Sequence, residues 1–287
     1  MILQKFALYP YSEETTQLYM KTTDDVVTDK EKVELKTLTK VNLETYFNLF
    51  SCLKWKKYVG VESVYLRLKL NGIVKVKIDH LQVKDGNVER HGVLDEQIQS
   101  DGMEYVTSNE FALPEEGMLG VTIEAVSETV LYAADFSTDQ TDLEENDICI
   151  GIGICTFKRE KYVERNMNLL KEGILNNPAA EAYDHIKICI SDNAGTLEPE
   201  KIENPEIHVV KNKNLGGVGG FTRTMLEYLN GEEKISHVLL MDDDAIILPE
   251  TIERNYLLLK NLKKKYYNNV VGGAVMLLDN QINKYES

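Results

Sequence analysis

Three consecutive carboxylates, Asp242, Asp243 and Asp244, close the apolar run from His237 to Met241. That run is too short for a helix and suits a buried strand. Pro249 and Glu250 supply a helix start shortly afterwards. Three acidic side chains at the end of a strand repel one another, and a divalent cation with oxygen ligands is the simplest compensation. Side chains alternate along extended backbone, so Asp242 and Asp244 can point one way while Asp243 points another. Two carboxylates are then available to a metal and one to a ribose hydroxyl or a basic partner. The competing reading is a solvated acidic turn that caps the next helix.

What must position these carboxylates is a series of strands alternating with helical stretches. The pattern implies a parallel sheet with crossover helices, in which ligands bind where the strands end. Ile148–Phe157 reads as a central strand and ends in Thr156, Phe157, Lys158 and Arg159, with a helix from Glu160 to Glu172. Ile186–Ser191 ends in Asp192. Ile207–Lys211 runs into Asn214, Leu215, Gly216, Gly217, Val218, Gly219 and Gly220, and a helix continues to Leu229. A helix is expected over Pro249–Lys265 and a fifth strand over Val270–Leu278. Arg159 offers a planar fork for phosphate or a base edge. Asp192 can accept from a ribose hydroxyl or a uracil N–H, and Phe157 can stack on a base. The glycines let backbone approach a ligand, and a helix N-terminus favours an anion. Taken singly, each of these is equally a cap, a surface charge or a tight turn. The glycine run is neither the dinucleotide fingerprint, because Thr222 breaks its spacing, nor a P-loop.

Residues 1–140 read as a separate β domain, a sandwich or jelly-roll. Val61–Leu70 and Ile73–Ile78 alternate around Asn71-Gly72, which predicts a hairpin turn there. Asp85-Gly86 marks another turn. Trp55, Tyr58 and Tyr65 are candidate sugar-stacking rings, with core packing the favoured reading. The polar, acidic stretch 141–147 reads as a linker before an α/β domain over 148–287.

The chain has 287 residues, 43% hydrophobic, which is ample for a packed core in each domain. Its net charge of −15 argues against a nucleic-acid partner. Four cysteines without a CxxC pair make zinc unexpected and fit a reducing compartment. The opening residues Met1–Pro10 lack the long apolar core of a signal peptide, and no apolar run reaches roughly 20 residues. A cytoplasmic protein is expected, with room for a peripheral position at the inner face of the plasma membrane.

Thr156-Phe-Lys-Arg159, Asp192-Asn193, Asn214-Leu-Gly-Gly-Val-Gly-Gly-Phe221 and Met241-Asp-Asp-Asp-Ala245 together resemble an inverting GT-A glycosyltransferase of family 2. Within it they are most similar to the bacterial galactofuranosyltransferase branch, which carries a β-sandwich before the GT-A domain. The resemblance implies transfer of a hexose, galactofuranose from UDP-galactofuranose, to a cell-surface or lipid-linked glycan, by a protein that can be a homo-oligomer. It implies that Arg159 and Asp192 hold uracil and ribose, with Thr156 and Phe157 also in the donor-binding set. Asn214, Gly216 and Gly217 would lie along the nucleotide and sugar, and Asp243 would face the donor sugar. Asp242 and Asp244 would share Mn2+ or Mg2+. No His follows Asp244 to match the family's metal-binding His, and the carboxylates after it, Glu250, Glu253, Asp279 and Glu286, sit in no recognisable base motif. The base is expected beyond Ser287, and weak donor binding with little or no transfer is expected of these residues alone. Rival readings are a carbohydrate-binding protein that uses the sandwich and a metal-dependent nucleotidyltransferase.

Overall fold

A computed structural model describes residues 1–276 except Tyr11, Asp25 and Lys30. The described chain divides into two compact units, one of Met1–Glu144 with the residues from Asn261 on, the other of Glu145–Lys260.

The first unit is antiparallel β structure built on one long strand, β1 (Ser63–Lys84). It pairs with β2 (Asn87–Asp101), β3 (Met118–Ala125) and β4 (Thr129–Ser137). The expected turn at Asn71-Gly72 is absent, because β1 runs straight through and changes partners there. β4 pairs with Tyr65–Asn71, and β3 pairs with Val74–Leu81. Gly72 has φ +135°, and a Cβ at this position would strike Thr129. The dipeptide therefore marks a close approach between strands. The hairpin turn lies at Asp85-Gly86, where both residues have positive φ, as a two-residue hairpin loop requires. Alternation along β1 buries Val64, Leu66, Leu68, Leu70, Val74, Val76 and Ile78 completely. Trp55 is core: it is 2% exposed and stacks on Phe50 at 5.9 Å. Tyr58 packs edge-on against Tyr266, and the Tyr65 hydroxyl donates to Asp139.

The second unit holds four parallel strands, β5 (Ile150–Thr156), β6 (Ile186–Asp192), β7 (Ile207–Lys211) and β8 (His237–Asp242), in spatial order β7-β6-β5-β8. The chain moves outward from β5 to β7 and then returns to the other side of β5. The order thus reverses between β5 and β8, where an open α/β sheet leaves a crevice. Helices α1 (Glu160–Leu170), α2 (Gly216–Asn230) and α3 (Pro249–Lys260) accompany the sheet. In the Ile150-Gly-Ile-Gly-Ile154 run, the isoleucines are buried and both glycines face α2. The Tyr228 ring would lie 2.8 Å from a Cβ at Gly151, and its hydroxyl donates to the Ile152 carbonyl at 2.7 Å. Small residues on this face let α2 lie close against the sheet.

Three further expectations need correction. β8 is half-exposed: it pairs only with β5 among the described residues, and Val238 and Leu240 are 42% and 43% exposed. The expected fifth strand does not form over Val270–Val275, and Leu277 and Leu278 lie outside the described residues. Gly272-Gly273 interrupts that run, and glycine offers a strand no side chain to pack. α3 ends at Lys260, ahead of the expected Lys265. The cysteines are unpaired, and burial pushes Cys52 and Cys189 up to about 12. Among the described residues no helix is long and apolar enough to cross a membrane.

Candidate functional site

In-register pairing brings the strand ends to one edge. Thr156 lies beside Asp192, Asp192 beside Lys211, and Cys155 beside Asp242. The residues that follow each strand therefore share a rim.

At the switch point, the end of β5 meets the turn after β8. Asp242 and Asp244 are exposed, and Asp243 between them is 5% exposed. The Asp243 carboxylate accepts the Thr156 hydroxyl at 2.7 Å and Arg159 Nη1 at 3.1 Å. The same Nη1 donates to Asp244 Oδ2. Arg159 is the N-cap residue of α1. Its hydrogen bond to Asp244, reinforced by the charge of Asp243, raises its pKa further above the ordinary arginine range. The positive charge that the acidic turn demands is supplied in part by the protein itself. Cys155 lies below this turn, where burial first and the Asp243 and Asp242 charges second push its thiol upward. Phe157 is 45% exposed on the rim, with Lys158 Nζ 5.4 Å from its ring.

Asp192 is buried like Thr156 and Asp243, but its partners are backbone groups of its own loop. It is 1% exposed, and its carboxylate is taken up by backbone. Oδ1 accepts from the N–H groups of Ala194 and Gly195, and Oδ2 from that of Leu197. It shapes the loop after β6 and turns no oxygen outward. Asn193 ties this loop to the glycine turn, because its Nδ2 donates to the Gly216 carbonyl at 3.2 Å and its Oδ1 accepts from Asn212.

The glycines divide by role. They belong to the first turn of α2, ahead of the expected helix start. Gly216 needs its positive φ of +71°, while Asn214 Oδ1 accepts its N–H at 3.2 Å. Gly220 packs against Cys155, whose Sγ a Cβ would strike. At Gly217 a Cβ would meet only Phe221, at 3.8 Å. Packing thus explains Gly220, whereas the space at Gly217 is open.

Arg165 and Asn166, on the second turn of α1, were not singled out from sequence. Asn166 is fully buried and donates from Nδ2 to the carbonyls of Asp243 (3.0 Å) and Ala245 (2.8 Å). Arg165 Nη2 donates to the carbonyls of Asp244 and Ala245, both at 3.1 Å. A signal did exist: Val163, Met167 and Leu170 form the buried stripe of α1, and Asn166 occupies a position in it. A polar residue on an apolar stripe has a buried partner to meet. Among the described residues no three His, Cys, Asp or Glu side chains converge as a ready-made metal cage.

Comparison with known proteins matches residues 4–139 to the family "Galactofuranosyltransferase 2 N-terminal" and residues 151–279 to "Glycosyl transferase family 2". Galactofuranosyltransferase GlfT2 of Mycolicibacterium smegmatis is 23% identical over 225 residues, 77% of this chain and 34% of that protein. Galactofuranosyltransferase GlfT2 of Mycobacterium tuberculosis is 24% identical over 222 residues, 75% of this chain and 34% of that protein. The chain thus spans about a third of the length of these relatives. Among solved structures, the CBM22-1 xylan-binding domain from Paenibacillus barcinonensis covers 49% of this chain and 96% of its own at 12% identity. Its TM-score of 0.30 carries no functional argument. With one family matched in each half of its sequence, the chain is a galactofuranosyltransferase-like member of glycosyl transferase family 2.

Proposed function

We propose that this chain forms the donor half of a GT-A galactofuranosyltransferase, which passes galactofuranose from UDP-galactofuranose to a glycan acceptor with inversion. The observation that carries the reading is the meeting of Thr156 and Arg159 with Asp243 and Asp244 where the strand order reverses. The support from family is the pair of matches, of which the galactofuranosyl one covers the first unit.

The donor set suits a divalent cation of the Mg2+ or Mn2+ kind. Asp242 and Asp244 are exposed hard-oxygen donors flanking an inward-facing neighbour. Such ions are bound by one or two carboxylates and complete their shell with substrate phosphates. Asp242 and Asp244 would hold it, and when bound it would offset charge on the departing UDP as a Lewis acid. Phe157 offers a face for the base, and Arg159 a fork for phosphate or uracil. Asp192 acts through the loop that it folds, and Gly217 leaves space for the donor to lie against backbone. Asp243, held by Thr156 and Arg159, organises the rim from within. Inversion also needs a carboxylate to take the acceptor hydroxyl's proton on the face opposite UDP. None of the described residues is assigned that role.

Calorimetric titration of UDP, with Mn2+ and then with EDTA, tests the donor site. Binding should require the metal and be lost in Asp242→Ala/Asp244→Ala. Metal-independent binding that survives the double substitution would contradict the reading.

A further inference from the structure

Building on the donor-site proposal, we infer that Asn166, assisted by Arg165, is a positioning residue that sets the spacing of the Asp242 and Asp244 carboxylates. The turn after β8 presents three successive carbonyls, those of Asp243, Asp244 and Ala245, to α1. All three accept from the Arg165-Asn166 pair. Asn166 uses both protons of one buried amide, and its Oδ1 lies 3.4 Å from Arg165 Nη2. The two residues thereby grip the backbone as one unit. Arg165 keeps this pose although its Nε is buried without a hydrogen-bond partner. Its guanidinium also lies 5.3 Å from the Tyr162 ring.

Fixing the carbonyls of Asp243 and Asp244 fixes the two peptide planes that bracket Asp244, and with these the direction in which its Cα–Cβ bond leaves the chain, relative to an Asp242 held by the ladder to β5. The observed result is an alternation: Asp243 turned inward, Asp242 and Asp244 outward. The same helix carries Arg159 at its N-cap, so α1 holds the turn at two places, gripping carboxylates with its N-cap residue and carbonyls with its second turn. Loss of residues that orient metal ligands from behind typically weakens metal binding by 10–100-fold. Asn166→Asp keeps the size of the side chain and replaces the donor by an oxygen facing two carbonyl oxygens.

The test follows the electron paramagnetic resonance signal of free Mn2+ during titration into the full chain with UDP present. Parent, Asn166→Asp, Arg165→Met and Asp242→Ala/Asp244→Ala are compared, with thermal unfolding recorded for each. In Asn166→Asp the Mn2+ dissociation constant should rise roughly 10- to 100-fold. UDP binding should recover at saturating Mn2+, which a misfolded fraction would not show. If Asn166→Asp does not fold, Arg165→Met carries the test, with a several-fold weakening expected. A folded Asn166→Asp, or failing that Arg165→Met, with parental Mn2+ affinity overturns the positioning role and leaves the donor site intact. A parent that binds no more Mn2+ than the double aspartate variant overturns the donor site itself, and this role with it.

Discussion

The Thr156 hydroxyl donates to Asp243 Oδ2 at 2.7 Å, joining the end of β5 to the turn that leaves β8. Both residues are buried, at 2% and 5% exposure, so the bond lies where an unmet acceptor is expensive. Thr156→Val keeps the shape of the side chain and removes the donor. It should lower stability by about 1–3 kcal/mol, read as a shift in the urea midpoint, and Thr156→Ser should restore most of the loss. An unshifted midpoint in Thr156→Val would show that Arg159 alone satisfies the carboxylate.

The glycine turn yields a paired prediction. Gly220→Ala places a Cβ against Cys155 Sγ and 2.8 Å from Cys155 Cβ. Overpacking of this kind costs about 1–3 kcal/mol, and Cys155→Ala should recover only part of it, because the Cβ stays. Gly217→Ala meets nothing closer than 3.8 Å. Its stability should be unchanged, or raised by up to about 1 kcal/mol through helix propensity, while UDP affinity in Mn2+ falls. Parental UDP affinity in Gly217→Ala would remove that residue from the donor surface.

Much of this arrangement was readable from sequence wherever a local pattern and its tertiary use agreed. The apolar runs ending in Thr156, Asp192, Lys211 and Asp242 are strands with their ends on one edge, because continuous apolar runs separated by helical stretches have few other ways to pack. Asn71-Gly72 was misread because partners on both sides of β1 outweigh a dipeptide's turn preference. Asp192 is expected from sequence to accept from a ribose hydroxyl or a uracil N–H, and the N–H groups that its carboxylate meets in the structure belong to a loop whose path no periodicity reveals. Asn166 was overlooked although its place on the stripe of Val163, Met167 and Leu170 was visible. What it touches, the carbonyls beyond β8, lies 77 and 79 residues away in the chain.

The first unit should show an acid-sensitive stability set by Asp79. Burial alone would raise its pKa, but hydrogen bonds from Arg90 (2.9 Å) and Lys77 (3.1 Å) outweigh burial and lower it. Because the folded-state pKa lies below the unfolded one, the stabilisation is complete above the ordinary carboxylate value, about 3.9. It is lost as pH falls through the lowered value. Arg90→Met, which also frees Glu44 from its pair, should cost about 1–2 kcal/mol at neutral pH. It should also flatten the fall in urea midpoint on acidification. A variant with the parental slope would place the acid sensitivity elsewhere.

Arg159 separates two roles that the acidic turn can play. Its guanidinium already offsets part of the charge of Asp243 and Asp244, so for a bare cation it is a competitor. For a nucleotide diphosphate the same group is an attractive partner. Arg159→Met should therefore move two affinities in opposite directions. Mn2+ alone should bind a few-fold more tightly, the scale of one exposed charge pair, whereas UDP in saturating Mn2+ should bind several-fold more weakly. If both affinities fall, Arg159 serves chiefly to hold the turn in shape. If neither moves, the pairing with Asp244 is an exposed contact with no bearing on the donor. Only opposite shifts fit an arginine that balances the carboxylates until donor and cation arrive together.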